Sequence, residues 1–273
     1  MLRMQYFKDK AREIRLSSLE MQHLAHKGHL GGAFSVTEIL VGIYYSGIIN
    51  ISSTNFKDIK RDRIIFSKGH ACLSLYAVVA DKGFFPKEEL EQYGQNGTFL
   101  GGHPDHLIPG VEVSSGSLGH GLGIGAGMAL AAKINKQKCL TYVVLGDGEC
   151  SEGSIWEAVV FAVAQKLNNL VAIVDNNQVA ATTRTQKFAG STSMEDKWKS
   201  FGWETLSING NKISDVFKSL NKSKARYASE SPMVIIANTI KGKGVSFMED
   251  NPSWHHGVAN DAQYEQAVKE LSK

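Results

Sequence analysis

The stretch CLTYVVLGDGECSEGSIWEAVVFAVAQKL, residues 139–167, followed by LVAIVDNNQV, residues 170–179, decides the fold. Residues 139–147 form an apolar, β-branched run without polar alternation, the pattern of a strand covered on both faces in a parallel sheet. Residues 151–167 then place apolar side chains at helical spacing behind Ser151 and Glu152, which suit a first helical turn. Residues 170–177 read as a second buried strand. A strand, helix and strand of these lengths make a right-handed crossover in one parallel sheet. Both strands then end on the same sheet edge, and ligands of such sheets sit beyond the carboxyl ends.

The same alternation extends outward in both directions. Residues 5–27, 36–48 and 121–134 have helical spacing, and RIIFS (63–67) is a short strand running into the helical ACLSLYAVVADKG. Downstream come a short helix near 196–201, strand WETLSI, helix ISDVFKSLNKSKARYA, strand PMVIIANTI and a last helix from about Asn260. The expected architecture is α/β: a doubly wound, mainly parallel sheet flanked by helices, as a single domain over 1–273. A chain of 273 residues with 42% hydrophobic side chains is long enough to bury that core.

Thirty basic against twenty-seven acidic side chains leave a net charge of +3, too weak and dispersed for a nucleic-acid or membrane-surface partner, so small-molecule substrates are expected. No segment has the roughly 20 apolar residues that span a bilayer, and the N-terminus lacks a signal-peptide h-region. Cys72, Cys139 and Cys150 are spaced for neither a disulfide framework nor a zinc cluster, which fits a reducing cytoplasm.

The chemistry gathers at the two strand ends. Gly146-Asp147-Gly148 closes the first and Asn176-Asn177 the second. The Asp147 carboxylate, the Asn177 amide oxygen and a backbone carbonyl such as that of Val179 are three hard oxygen ligands, suited to Mg²⁺ or Ca²⁺ and not to zinc. Two oxygens of a diphosphate and a water would complete six. The glycines beside Asp147 let backbone N–H groups approach a diphosphate, and the following helix is expected to aim its N-terminus at the same place.

GDGECSEG followed by VDNNQV resembles the thiamin diphosphate signature, and nearly the whole chain is similar to the N-terminal, cofactor-binding third of transketolases. The resemblance implies that Asp147, Asn177 and the Val179 carbonyl bind the metal. It also implies that Gly146, Gly148 and Glu149 belong to the cofactor site, and that Glu152 lies where cofactor sites meet between subunits and couples them. As a bland alternative, Glu152 is a helix N-terminal carboxylate. AHKGHLGGAFS sets His29 in a tight Gly-rich turn and resembles the segment whose histidine contacts the sugar, with His26 ranked below it. SKGHACLSLY sets His70 near the diphosphate, and GGHPDH sets His103 toward the donor ketose. Imidazoles suit these roles because they bind hydroxyls and move protons near neutral pH.

SSGSLGHGLGIGAGMA resembles the family loop GPLGQG, which implies that Gly116 and Leu118 hold the cofactor rings; Ser117 and His120 replace the family's Pro and Gln. Without the family, this stretch reads as a glycine-lined helix packed closely on a neighbour. In IKGKGVSFMEDNPSWHHGV the family's diphosphate histidine matches His255, with His256 as the alternative, and Lys241 either adds charge near the phosphates or is a solvated lysine. Ala180, Ala181 and Thr182 stand where transketolases continue with an Asp-Gly turn, which implies a different substrate rim or partner.

In transketolases the glutamate that activates the cofactor comes from a pyrimidine-binding domain. The chain therefore resembles the N-terminal half of split transketolases, which implies a separately encoded C-terminal partner chain, an α2β2 assembly and reversible transfer of a two-carbon ketol unit between sugars. Rival expectations are another thiamin enzyme, of the deoxyxylulose-phosphate synthase or oxoacid decarboxylase kind, and a non-catalytic regulatory homologue. GSLGHG and GHP argue against the first. The sugars themselves are not written in this sequence.

Overall fold

The computed structural model describes residues 2–181 and 183–273. Thr182, named above in the departure from the family loop, lies outside the described residues. The order is α1 Leu2–Ala25, α2 Leu30–Tyr45, β1 Arg63–Phe66, α3 Cys72–Asp81, α4 His120–Ile134, β2 Thr141–Gly146, α5 Gly153–Ala164 and β3 Leu170–Asn176. It continues with α6 Gln186–Ala189, α7 Met194–Ser200, β4 Glu204–Asn209, α8 Ile213–Lys224, β5 Met233–Asn238 and α9 Asp261–Leu271. Five strands, all pairing in parallel, form one sheet in the order β1-β2-β3-β5-β4.

Strand pleating sorts the core. Ile64, Tyr142, Val144, Val171, Ile173, Met233 and Ile235 point into a cluster covered by α1, α2, α3, α8 and α9. Their neighbours Ile65, Val143, Leu145, Ala172, Val174, Val234 and Ile236 point into the opposite cluster with α4, α5 and Trp198 of α7. Helices on both faces make the sheet doubly wound, as the uninterrupted apolar runs imply. The glycine-lined reading of residues 121–134 holds for half of the glycines. A Cβ on Gly121 would strike Ser67 and one on Gly125 would strike Val143, so both let α4 settle on the sheet, whereas Gly123 and Gly127 face open space.

Two boundaries differ from expectation. Helix α2 starts at Leu30 and not at 36, so Gly31 and Gly32 belong to its first turn. A Cβ on Gly31 would lie 2.7 Å from the Trp254 carbonyl oxygen, so glycine serves close backbone approach here and not a turn. Helix α5 starts at Gly153, behind a 3-10 turn at Glu149–Ser151 whose hydrogen bonds consume the amides of Cys150, Ser151 and Glu152. The helix expected from Ser151 therefore starts two residues later, with Glu152 as its N-cap. Among the described residues no helix is long and apolar enough to cross a membrane, and Cys72, Cys139 and Cys150 are buried free thiols.

Candidate active site

The register of β2 against β3 sets Gly146 beside Asp175, so Asp147, one residue further on, and Asn177, two residues further on, emerge together at the carboxyl edge. They line a cavity of about 350 Å³ with His29, His70, His103, Gly116, Leu118, Gly146, Gly148, Glu149, Val179, Lys241, His255 and His256. The sequence-predicted residues thus converge, with two exceptions. Glu152 stands outside the cavity, exposed at the N-cap of α5, and His26 is exposed on the turn after α1.

The oxygen end is held by a buried network. Asp175 is fully buried and pairs with the Lys68 ammonium, which also donates to the Gly32 carbonyl at 3.2 Å. Ser35 Oγ donates to Asp175 Oδ2 at 2.6 Å, and Thr239 donates to Oδ1. The Asn177 side-chain N–H then faces Ser35 and Asp175, at 3.3 and 3.4 Å, which fixes the amide with Oδ1 on the other side. Asn176 turns away and donates to Asn238 Oδ1, so one asparagine of the pair serves the cavity. Asp147 Oδ2 accepts from the Gln178 amide at 2.6 Å. Burial, and then the charge of Asp175, pushes the Asp147 carboxyl up to about 6.

Glu149 lines the cavity but turns its carboxylate inward, where Ser67, the Gly119 amide (2.9 Å) and the Gly146 amide (3.0 Å) donate to it. This corrects the expectation that Gly146 offers its N–H to a diphosphate. Through Gly119, Glu149 also fixes the 116–119 loop, where Gly116 adopts φ +135 with a Cβ position only 3.0 Å from the His103 ring.

The Lys241 ammonium joins the two ends. It donates to the Val179 carbonyl at 2.7 Å and lies 2.5 Å from His255 Nδ1, and Lys241 is 1% exposed, so it is not the solvated lysine of the alternative reading. Burial, followed by the Lys68 charge, brings it down to about 8. Beyond it the His29 ring lies 5.5, 5.4 and 4.4 Å from those of His70, His255 and His256. Burial and then the neighbouring histidines hold His29 at about 4; burial and then Lys241 hold His255 at about 3; burial and then Lys68 hold His70 well below the ordinary imidazole range. These three rings are neutral at neutral pH and act as hydrogen-bonding groups and proton acceptors without carrying charge.

The walls are stapled from afar. Gln22 Nε2 donates to the carbonyls of Gly257 (2.8 Å) and Gly28 (3.2 Å), tying the two histidine-bearing segments to α1. Arg184 makes a two-pronged ion pair with Asp250 at 2.7 and 2.8 Å, joining the loop after Val179 to the loop before His255. The sequence reading missed Lys68, Asp175 and Ser35. Their one signal is a charged residue directly after a buried strand, in SKGH, and another inside one, in VDNN.

The donor set fits a hard divalent ion: a carboxylate, an oriented amide and a backbone carbonyl, with no thiolate. The cavity beside them has the walls of a binding site, with apolar stretches and a few convergent polar groups.

The profile of the family described as "Transketolase, thiamine diphosphate binding domain" matches residues 7–272. The chain is 42% identical over 255 residues to an apulose-4-phosphate transketolase subunit of Phocaeicola vulgatus, covering 93% of this chain and 90% of that protein. It is 37% identical to the 6-deoxy-6-sulfo-D-fructose transketolase subunit SqwG of a Clostridium species, covering 97% and 95%. Among solved structures, transketolase from Campylobacter jejuni superposes with a TM-score of 0.89 at 28% identity; the match covers 98% of this chain and 43% of that one.

Proposed function

The chain belongs to the transketolase thiamine diphosphate-binding domain family, and from that premise we propose that it is the cofactor-holding subunit of a two-chain transketolase. It forms a single diphosphate-binding domain, and a separately encoded partner carries the pyrimidine-binding and C-terminal domains. The partner is supported by the relatives whose names call them transketolase subunits, nearly all of whose length this chain covers. The observation that carries the reading is the meeting of the oxygen donors Asp147, Asn177 and Val179 with the imidazoles in one cavity.

In this reading Asp147, Asn177 and the Val179 carbonyl hold Mg²⁺ or Ca²⁺, and Gly148, His70 and Lys241 hold the diphosphate that the ion carries. Gly116 and Leu118, with Gly119 locked by Glu149, set the floor under the cofactor rings. Bound thiamin diphosphate supplies the nucleophilic carbon and the electron sink for ketol transfer. The residues of this chain position, exclude water and move protons. His29, His103 and His255, with His256 beside them, bind the hydroxyls of a ketose donor and an aldose acceptor, and the neutral rings of His29 and His255 take and return hydroxyl protons. Glu152, exposed at the start of α5, belongs to the contact between subunits of an α2β2 assembly. The buried free thiols suit a reducing cytoplasm.

Titration of thiamin diphosphate into the chain, with its partner and with Mg²⁺, tests this. Asp147→Asn weakens cofactor binding by roughly 100-fold, at the upper end of the losses seen when a metal site loses a supporting group. Binding that is indifferent to Asp147→Asn and to chelation of the ion overturns the reading.

A further inference from the structure

The three rings at the far end of the cavity have a property that sugar binding does not require. One ring nitrogen from each of His29, His255 and His256 lies within 4.8 Å of the other two. The rings are splayed and not stacked: His29 meets His255 at 84° and His256 at 60°, and His255 meets His256 at 68°. Splayed rings are what three nitrogens aimed at one point produce. His70, which stacks on His255 at 28°, does not join the group. Among the described residues neither His29 nor His256 makes a side-chain hydrogen bond to another protein group, so their ring nitrogens are uncommitted. On His255, Lys241 takes Nδ1 and leaves Nε2.

We propose that His29, His255 and His256 form a three-nitrogen site for a borderline transition-metal dication of the Zn²⁺ class, separate from the oxygen site at Asp147, Asn177 and Val179. Imidazole nitrogens select such ions, whereas Mg²⁺ and Ca²⁺ take oxygen. A tetrahedral ion with metal–nitrogen bonds of about 2.0–2.1 Å needs nitrogens about 3.4 Å apart, so the rings close inward by about an ångström and leave a fourth position to water. The backbone is arranged for this. The first turn of α2, which follows His29, approaches the Trp254 carbonyl so closely that only glycine fits at position 31, and Gly257 folds tightly against the Trp254 ring. The two segments that bear the ligands are thereby packed backbone to backbone. Each ligand coordinates as neutral imidazole; on His255 the Nε2 proton leaves to solvent while the Lys241 ammonium passes one proton to Nδ1 and stays beside it as a neutral amine, so one proton is released per ion bound at this ring. An ion there occupies the space between His29 and the His255-His256 pair, where substrate hydroxyls sit in the function proposed above; Zn²⁺ loading therefore inhibits.

The test is a visible-absorption titration of the full chain with Co²⁺, without thiamin diphosphate and in excess Mg²⁺. The expected result is one equivalent of Co²⁺ with the strong bands of four-coordinate nitrogen ligation, displaced by Zn²⁺ and not by Mg²⁺. His256→Ala and His29→Ala each weaken uptake at least tenfold, while Asp147→Asn leaves it unchanged; circular dichroism checks that the variants are folded. Absence of uptake, displacement by Mg²⁺, or loss in Asp147→Asn with retention in His256→Ala overturns the proposal. Since no cofactor is present, a failed thiamin diphosphate titration leaves this result standing, and the reverse is also true.

Discussion

At one end of the cavity Asn177 is oriented by Ser35 and Asp175, Asp175 is paired with Lys68, and Glu149 anchors two backbone amides; at the other, the rings of His29 and His256 are placed by packing alone. The difference is one of tolerance. A group that grips a small hard ion needs its oxygens set to a fraction of an ångström, and a buried, fully satisfied polar network supplies that rigidity. Rings that, in the function proposed above, meet sugar hydroxyls need room to adjust.

The comparison breaks most readily at Lys68. Lys68→Met leaves the Asp175 carboxylate buried without its cation, a loss of about 3–5 kcal/mol in unfolding free energy measured by denaturant titration. A loss under about 1 kcal/mol would mean that the network does not hold the oxygen end. A smaller effect sharpens the same contrast through packing. Gly121→Ala would drive a Cβ into Ser67 Oγ, displacing Ser67 from Glu149 and freeing the Gly119 amide. A cost of about 1–3 kcal/mol is expected for such crowding, with faster amide exchange at Gly119 as the specific sign; unchanged exchange there would detach Glu149 from the loop. The last effect belongs to the imidazole end, where the rings are only partly buried and solvent screens their charge. His29 and His255 titrate lower in the folded chain, at about 4 and about 3, than the ordinary 6.5, so the unfolded chain binds more protons below that value. Stability is therefore full above about pH 6.5 and declines as pH falls toward about 4. Denaturant titrations at pH 7, 5 and 4 should show this decline shallower in His29→Gln; an identical slope would show that His29 is not desolvated.

What the sequence disclosed follows the same division. β2 and β3 were legible because a strand buried on both faces has no polar alternation, and Asp147, Asn177 and the histidines were legible as motifs with fixed neighbours. The start of α2 was not, since Gly31-Gly32 has the local signature of a turn and its real reason, the Trp254 carbonyl, lies more than two hundred positions away. Lys68 and Asp175 are 107 residues apart and carry no periodic signal. Lys241 illustrates the limit well: a lysine in a glycine-rich loop looks solvated until β5 delivers it to Val179. The 3-10 turn at Glu149–Ser151 was hidden because an N-terminal carboxylate suits both it and a helix.

The staple made by Gln22 has a temporal consequence. Its amide clasps both Gly28 and Gly257, the latter 235 positions after Gln22, so the wall bearing His255 and His256 reaches the ribosome exit only after all five strands. Closing so long a loop costs conformational entropy that the early contacts cannot repay. In a chain still being synthesised all five strands therefore emerge before the residues that close this side of the pocket, and the clasp on Gly257 is expected to form after the sheet.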